Sequence, residues 1–438
     1  MLQIGLSRTD ITPRAGIEMW GFGKRIQPAL GVNDPLTATA LVATDGQAII
    51  ATVDCDLLFV RPDFTADVRT RVEALAGIPG RNVSITCTHT HYGPLIAPRP
   101  AGGQAPSVEE AYRAWLINQL AGLVYEAKRD LQPARIRFGT GTSDIGINRR
   151  EKTADGHIIL GQNPGGFIDR TVRVCRIETI DGVPLAAIVN FATHPVGQDA
   201  QLRLISADYV GSTRRIVQEL TGAPCLFWQG AAGNINIRTA ETDYAASAAA
   251  GTRLGQVAAK AWQKACPLAD GPVQAAACTL DLPAYRCLSP EHAAQSLREN
   301  QLELAQARQD PKSTPGLIEW WEGKVRLNEA YCRSWQGPAH LPPPVPADLQ
   351  AFRIGALAWA CVPGELFNEL GVEIQHHSPF THTLVAAYAN DWLGYLPTAT
   401  AFQEGGYEVA QSCRVAPEAM PIMLAQFEVF FRELSGSC

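Results

Sequence analysis

The chain has 438 residues, of which 46% are hydrophobic and 18% charged. That is long enough to bury a substantial core without disulfide or metal staples, in the composition range of a globular protein. A net charge of −6 and a pI near 5.9, with no Lys/Arg cluster beyond short pairs such as Arg149-Arg150, speak against a nucleic-acid binder.

Leu2 to Ile11 reads as a strand leading into a Thr12-Pro13 turn. Leu36 to Ala43 and Ala48 to Leu58 are two β-rich runs around Asp45-Gly46, a strong hairpin signal. Pro62 to Ala76 carries helical periodicity, with Val68, Val72 and Leu75 on one face. In Val83-Ser84-Ile85-Thr86-Cys87-Thr88-His89-Thr90-His91-Tyr92-Gly93-Pro94, apolar residues alternate as in a half-buried strand. Side chains two apart in a strand point the same way, so the spacing predicts His89 and His91 on one face at the strand's end. A loop rich in Pro and Gly follows, Pro94 to Pro106, and Ser107-Val108-Glu109-Glu110 resembles a capping box opening a helix to Leu131.

Residues 134–139 and 172–193 are strand-like, the latter broken by Asp181-Gly182 as a second hairpin. Ser206 is expected to cap a helix to Leu220, Cys225 to Trp228 to form a short buried strand, and Tyr244 to Ala265 a helix. From about 289 to 337 the pattern is helical and more charged until Leu341-Pro342-Pro343-Pro344, which reads as a helical insertion covering one side of the core. Ala351 to Val362 returns to strand, Leu366 to Ile374 to helix, Thr383 to Ala389 to strand, and Pro417 to Leu434 to helix. Hairpins mixed with strand–helix alternation predict an α/β (or α+β) fold, a mixed β-sheet core flanked by helices. Residues 1–438 are expected to form one catalytic domain with the helical insertion at about 286–345. The eleven cysteines are scattered singly, without a C-x-x-C pair, which points to buried reduced thiols in a cytoplasmic protein. The N-terminus lacks the basic and apolar regions of a signal peptide, and no run of about 18 apolar residues is present.

Four stretches carry candidate chemistry. His89 and His91 are either metal or catalytic groups or two ordinary strand-end histidines. His194, in Asn190-Phe191-Ala192-Thr193-His194-Pro195, also ends a strand before a proline; a structural role competes with a ligand role. Glu365, after Val362-Pro363-Gly364, opens a helix on this reading, so it either complements the helix dipole or serves as a ligand. The Gly-rich run Gln229 to Asn236 is either a tight turn or a loop with free N–H groups for an anion; it is not a Walker motif. Asp54 and Asp56, two apart at a strand's end, are read as capping and hydrogen-bonding groups, with support of the metal ligands from behind or a second metal site as the alternatives.

Taken in order, these pieces resemble the neutral/alkaline ceramidase family. The likeness rests on Ile4-Gly5, Asp10-Ile11-Thr12-Pro13, Thr88 to Pro94, Asn148-Arg149, His194, the Gly230 to Asn236 loop, Pro363-Gly364-Glu365, and the pair Tyr395 and Tyr407. It implies one Zn²⁺ held by His89, His194, Glu365 and Tyr395, with His91, Arg149 and Tyr407 around the scissile carbonyl. Three departures stand out. The serine in the family's Gly-Asp-Val-Ser-Pro-like loop corresponds to Asn236, which speaks against a serine nucleophile but leaves an amide able to hydrogen-bond an oxyanion. The chain leaves no room for the family's C-terminal immunoglobulin-like domain, and it shows no secretion signal. The expectation is therefore a cytoplasmic zinc-dependent hydrolase cleaving an amide-type C–N bond of a small soluble substrate other than ceramide. A zinc lactonase or esterase and a metal-retaining binding protein without catalysis are the alternatives.

Overall fold

The computed structural model describes residues 1–22, 25, 27–97, 107–239 and 241–436; the end of the loop expected from Pro94 to Pro106 lies outside them. The main sheet holds strands β1 (Gln3–Asp10), β2 (Thr37–Thr44), β3 (Ile49–Cys55), β4 (Val83–Cys87), β5 (Gln132–Thr142), β6 (Thr171–Thr179), β7 (Pro184–Phe191) and β8 (Cys225–Gln229). They lie in the order β8-β7-β6-β5-β1-β2-β3-β4, with the short Cys266–Pro267 strand pairing on β5. The pairs β3/β4 and β7/β8 are parallel and the other main-path pairs antiparallel, so the sheet is mixed. Both hairpins expected at Asp45-Gly46 and Asp181-Gly182 form, each glycine at positive φ.

A second sheet runs β9 (Val273–Leu282), β10 (Val345–Ile354), β11 (Leu357–Cys361) and β12 (His382–Ala386). One run expected from Ala351 to Val362 is thus two strands. Gly355, at φ +58°, reverses the chain between them, a conformation a residue with a Cβ rarely adopts. Period-2 alternation assigns the faces. Leu41 and Ala43 of β2 and Phe352, Leu357 and Trp359 of the second sheet meet in one apolar layer, whereas Ala40 and Val42 face the opposite way. Helices cover the outer faces: α1 (Pro62–Ala76), α2 (Val108–Arg129), α3 (Asp208–Thr221) and α4 (Tyr244–Gln263). The capping box at Ser107 and Glu110 opens α2 as expected.

Helices α5 (Pro290–Gln309) and α6 (Pro315–Ser334) sit between the directly paired β9 and β10, so this segment is an excursion from a hairpin. Ser289 and Thr314 cap the two helices, each with proline in the first turn. Helix α7 (Asn368–His376) starts later than the expected Leu366, and α8 (Ala419–Ser435) packs against β9 and β10. Ser206 does not cap α3 directly. That helix begins at Asp208, because the Ser206 hydroxyl takes the Asp208 N–H at 3.0 Å while itself donating to Asp34.

Candidate metal centre and active-site cavity

Strand β4 ends at Cys87, so His89 and His91 do not continue its face as expected. The Thr88 N–H crosses to the Cys55 carbonyl at 2.9 Å, and His89 takes φ +65° with its N–H on the Leu57 carbonyl. A non-glycine residue in the left-handed region stores strain, which surrounding structure must hold in place. The turn nevertheless brings the two imidazoles together edge to face, their Nε2 atoms 3.3 Å apart.

His194 follows β7, with its N–H on the Ile235 carbonyl at 2.9 Å. Its Nδ1 lies 2.6 Å from the Ala232 carbonyl, and the His89 Nδ1 lies 2.7 Å from the Leu58 carbonyl. A carbonyl only accepts, so each Nδ1 carries the proton and each Nε2 presents a lone pair. Glu365 does not open a helix. It lies in a two-residue strand, Glu365–Leu366, paired in parallel with Tyr395–Leu396, so Glu365 and Tyr395 are register partners. The helix-dipole role considered for it therefore falls away. Its Oε2 is 3.0 Å from the His194 Nε2 and 3.4 Å from the His89 Nε2, and its Oε1 accepts from the Trp392 indole at 3.0 Å.

The Gly-rich run earns its small residues by packing. A Cβ on Gly233 would collide with the Glu365 carbonyl, and one on Gly230 would crowd Ala192. The Gly230 and Gly233 N–H groups are already bonded to Phe191 and Leu366, so the anion-cradle reading of those donors gives way to close backbone approach.

Behind this cluster, Arg149 on the strand Gly146–Lys152 donates to Glu408 at 2.9 Å and to the Asn236 side-chain Oδ1 at 3.1 Å. Its guanidinium lies 5.2 Å from the Tyr395 ring centroid, and Tyr395 and Tyr407 meet edge to face at 5.8 Å. His89, His91, Glu365, Tyr395 and Tyr407 line a cavity of about 240 Å³, whereas Arg149, Asn236 and His194 lie behind these side chains and are not part of its lining. Trp20, Phe59, Trp320 and Trp392 wall that cavity, with Phe59 and Trp392 stacked at 4.6 Å. Helix α6 contributes Leu317, Trp320, Trp321 and Lys324, so the helical excursion shapes the pocket.

Burial pushes His194 down to about 4, helped by the adjacent Arg149 charge and opposed by Glu365. Burial, then His89 and His194, likewise holds His91 well below the ordinary imidazole value, although part of its surface opens to the cavity. For Glu365 burial alone would raise the carboxyl, but His89 and His194 win and keep it ionised. Burial raises the Tyr395 hydroxyl, with Arg149 pulling the other way. Ring nitrogens of His89, His91 and His194 lie within 4.8 Å of one another beside an ionised carboxylate, with electron pairs presented at the His89 and His194 Nε2 atoms. Such a donor set, with both Nδ1 protons pinned on carbonyls, fits a divalent cation.

Asp54 and Asp56 are not a second metal site. Arg214 pairs with Asp56, whose carboxylate also takes the Thr37 N–H at 2.7 Å and the Thr88 hydroxyl at 3.1 Å; Asp54 accepts from the Phe227 N–H at 2.8 Å. Asp56 therefore braces the residue before His89. Sequence reasoning missed Trp392, Tyr388 and Arg25. Tyr388 stacks on His89 at 4.0 Å from a left-handed backbone conformation, and only Trp392, three residues before Tyr395, lay close enough in sequence to suggest itself.

Fold and site together define a mixed-sheet α/β protein with a buried, histidine-rich, metal-competent centre at the foot of an aromatic cavity. The family description "Neutral/alkaline non-lysosomal ceramidase, N-terminal" matches residues 2–224, and the chain belongs to that family. It is 27% identical over 242 residues to neutral ceramidase B of Dictyostelium discoideum, covering 51% of this chain and 32% of that protein. It is 24% identical over 232 residues to neutral ceramidase of Oryza sativa subsp. japonica, covering 49% and 28%. These matches span about a third of the curated relatives' length. The solved neutral ceramidase from Pseudomonas aeruginosa shares the fold with a TM-score of 0.75 at 20% identity, over 99% of this chain and 74% of that one. A ceramidase solved in complex with C2 gives 0.76 at 21%, over 99% and 75%. Among the described residues, no helix is long and apolar enough to cross a membrane.

Proposed function

We propose that the chain is a zinc-dependent hydrolase cleaving an amide-type C–N bond of a compact substrate, and that residues 1–438 act as one catalytic unit. One observation carries this reading: the His89 and His194 Nε2 atoms and the Glu365 Oε2 converge, while their remaining polar atoms are fixed by Leu58, Ala232 and Trp392. His89, His194 and Glu365 would hold the ion, with Tyr395 added from the neighbouring strand. A divalent cation there supplies Lewis acidity, polarising a carbonyl and bringing the pKa of water down to about 7.

The chain's own groups do the rest. Tyr407 lines the cavity and is 41% exposed, which suits a hydroxyl that donates to the substrate's carbonyl oxygen. A well-placed donor to a developing oxyanion is worth about 3–4 kcal/mol. His91, kept neutral at the cavity edge, would take a proton from the attacking water and pass it to the leaving nitrogen. Arg149, held by Glu408 and Asn236, keeps a positive charge under the two tyrosines and so favours negative charge at their hydroxyls. The cavity of about 240 Å³ lies below the usual range of ligand pockets, about 300–1,000 Å³, but it shares Trp20, Phe59, Trp320 and Trp392 with a neighbouring cavity of about 580 Å³ into which a longer substrate would extend. The free thiols of the ten described cysteines support a cytoplasmic setting.

Elemental analysis of protein purified without added metal, with turnover of a panel of amides, esters and lactones, tests the reading. Near-stoichiometric zinc and amide cleavage are expected, both lost in Glu365→Ala. Zinc content and turnover unchanged in that variant would refute it, and preferential lactone cleavage would move the assignment to a lactonase.

A further inference from the structure

We propose that the substrate carries a carboxylate, bound by Arg25 on the wall of the active-site cavity. This rests on reading that cavity as the site of hydrolysis. Arg25 is only 6% exposed, yet no carboxylate pairs with it among the described residues. Its Nε donates to the Ala200 carbonyl at 3.1 Å and its Nη1 to the His91 carbonyl at 2.7 Å, while its buried Nη2 has no partner among the described residues. The guanidinium faces the Phe22 and Tyr92 rings at 4.9 and 5.1 Å. Asp199 acts on it only at a distance, without an ion pair, so burial is poorly compensated for a charge whose direct contacts are carbonyls and rings. Burial lowers Arg25 to about 10, which leaves it cationic at neutral pH.

The cavity's other charges point the same way. Lys324 of α6 lines it from the insertion side. Of the two acids on its wall, Glu365 is committed to the histidines and Trp392, and Glu18 accepts the Gly316 N–H at 3.2 Å. A ligand anion is therefore the group that this wall lacks, and a guanidinium is the donor suited to a carboxylate. Position narrows the class further. Arg25 grips the backbone of His91, the residue assigned to the leaving nitrogen, so the carboxylate belongs on the leaving-group side. With Trp20, Phe59, Trp320 and Trp392 around it, the site suits an N-acylated amino acid with an apolar or aromatic side chain.

Calorimetric binding of N-acetylphenylalanine and of its neutral primary amide to the purified, zinc-loaded full chain tests this. The carboxylate is expected to bind at least tenfold more tightly, and Arg25→Gln to remove most of that preference. Arg25→Lys, which keeps a cation and is the safer variant for folding, should retain part of it. Equal binding of the two probes by the wild type, or an undiminished preference in both variants, overturns the proposal. Hydrolysis measured in parallel separates the two claims. Arg25-dependent binding without cleavage refutes the hydrolase and leaves the anion site, whereas cleavage of both probes without preference refutes the anion site alone.

Discussion

Replacing Trp392 with Phe probes the proposed metal centre without touching a ligand. The indole N–H donates to the Glu365 Oε1 at 3.0 Å, and the other carboxylate oxygen faces His194 at 3.0 Å and His89 at 3.4 Å. Phenylalanine keeps an aromatic ring for the stack on Phe59, which is 4.6 Å away and inclined by 8°. What disappears is a hydrogen bond to a charged acceptor, worth about 1.5–3 kcal/mol. Loss of partners that orient a metal ligand independently runs to about 10–100-fold in affinity, or about 1.4–2.7 kcal/mol. The two routes agree, so Trp392→Phe should bind zinc about 10–100-fold more weakly. Competition against a chromophoric chelator measures this, with circular dichroism confirming the fold. Zinc affinity within twofold of wild type, in a folded variant, would refute the claim that this bond orients a ligand.

Other positions give independent checks. Arg214→Met leaves Asp54 and Asp56 buried without their cation, and should lower the free energy of urea unfolding by about 3–5 kcal/mol; a loss under 1 kcal/mol would contradict the pairing. Lys324 is 8% exposed, and burial lowers it from 10.5 to about 8. Above pH 8 the folded chain leaves it neutral while the unfolded chain still binds the proton. Stability relative to Lys324→Met should therefore rise between pH 8 and 10.5, by on the order of 3 kcal/mol, and a flat difference would refute the depressed value. Gly233→Ala forces a Cβ against the Glu365 carbonyl, so unfolding free energy should fall by about 1–3 kcal/mol and zinc affinity with it; neither changing would show the contact to be slack.

The sequence by itself determined the local chemistry: which runs form strands and helices, where Asp45-Gly46 and Asp181-Gly182 turn the chain, and which short stretches belong to the ceramidase family. These follow from periodicity, capping and turn residues, all properties of neighbours along the chain. Tertiary structure decided what depends on distant contacts. His89 reaches its partners through a left-handed turn rather than along a strand, Glu365 sits in a two-residue ladder with Tyr395 rather than at a helix start, and Asp54 with Asp56 faces Arg214. Arg25 and Trp392 were illegible for the same reason: no pattern around either residue encodes the cavity wall or the carboxylate oxygen that it meets across the fold.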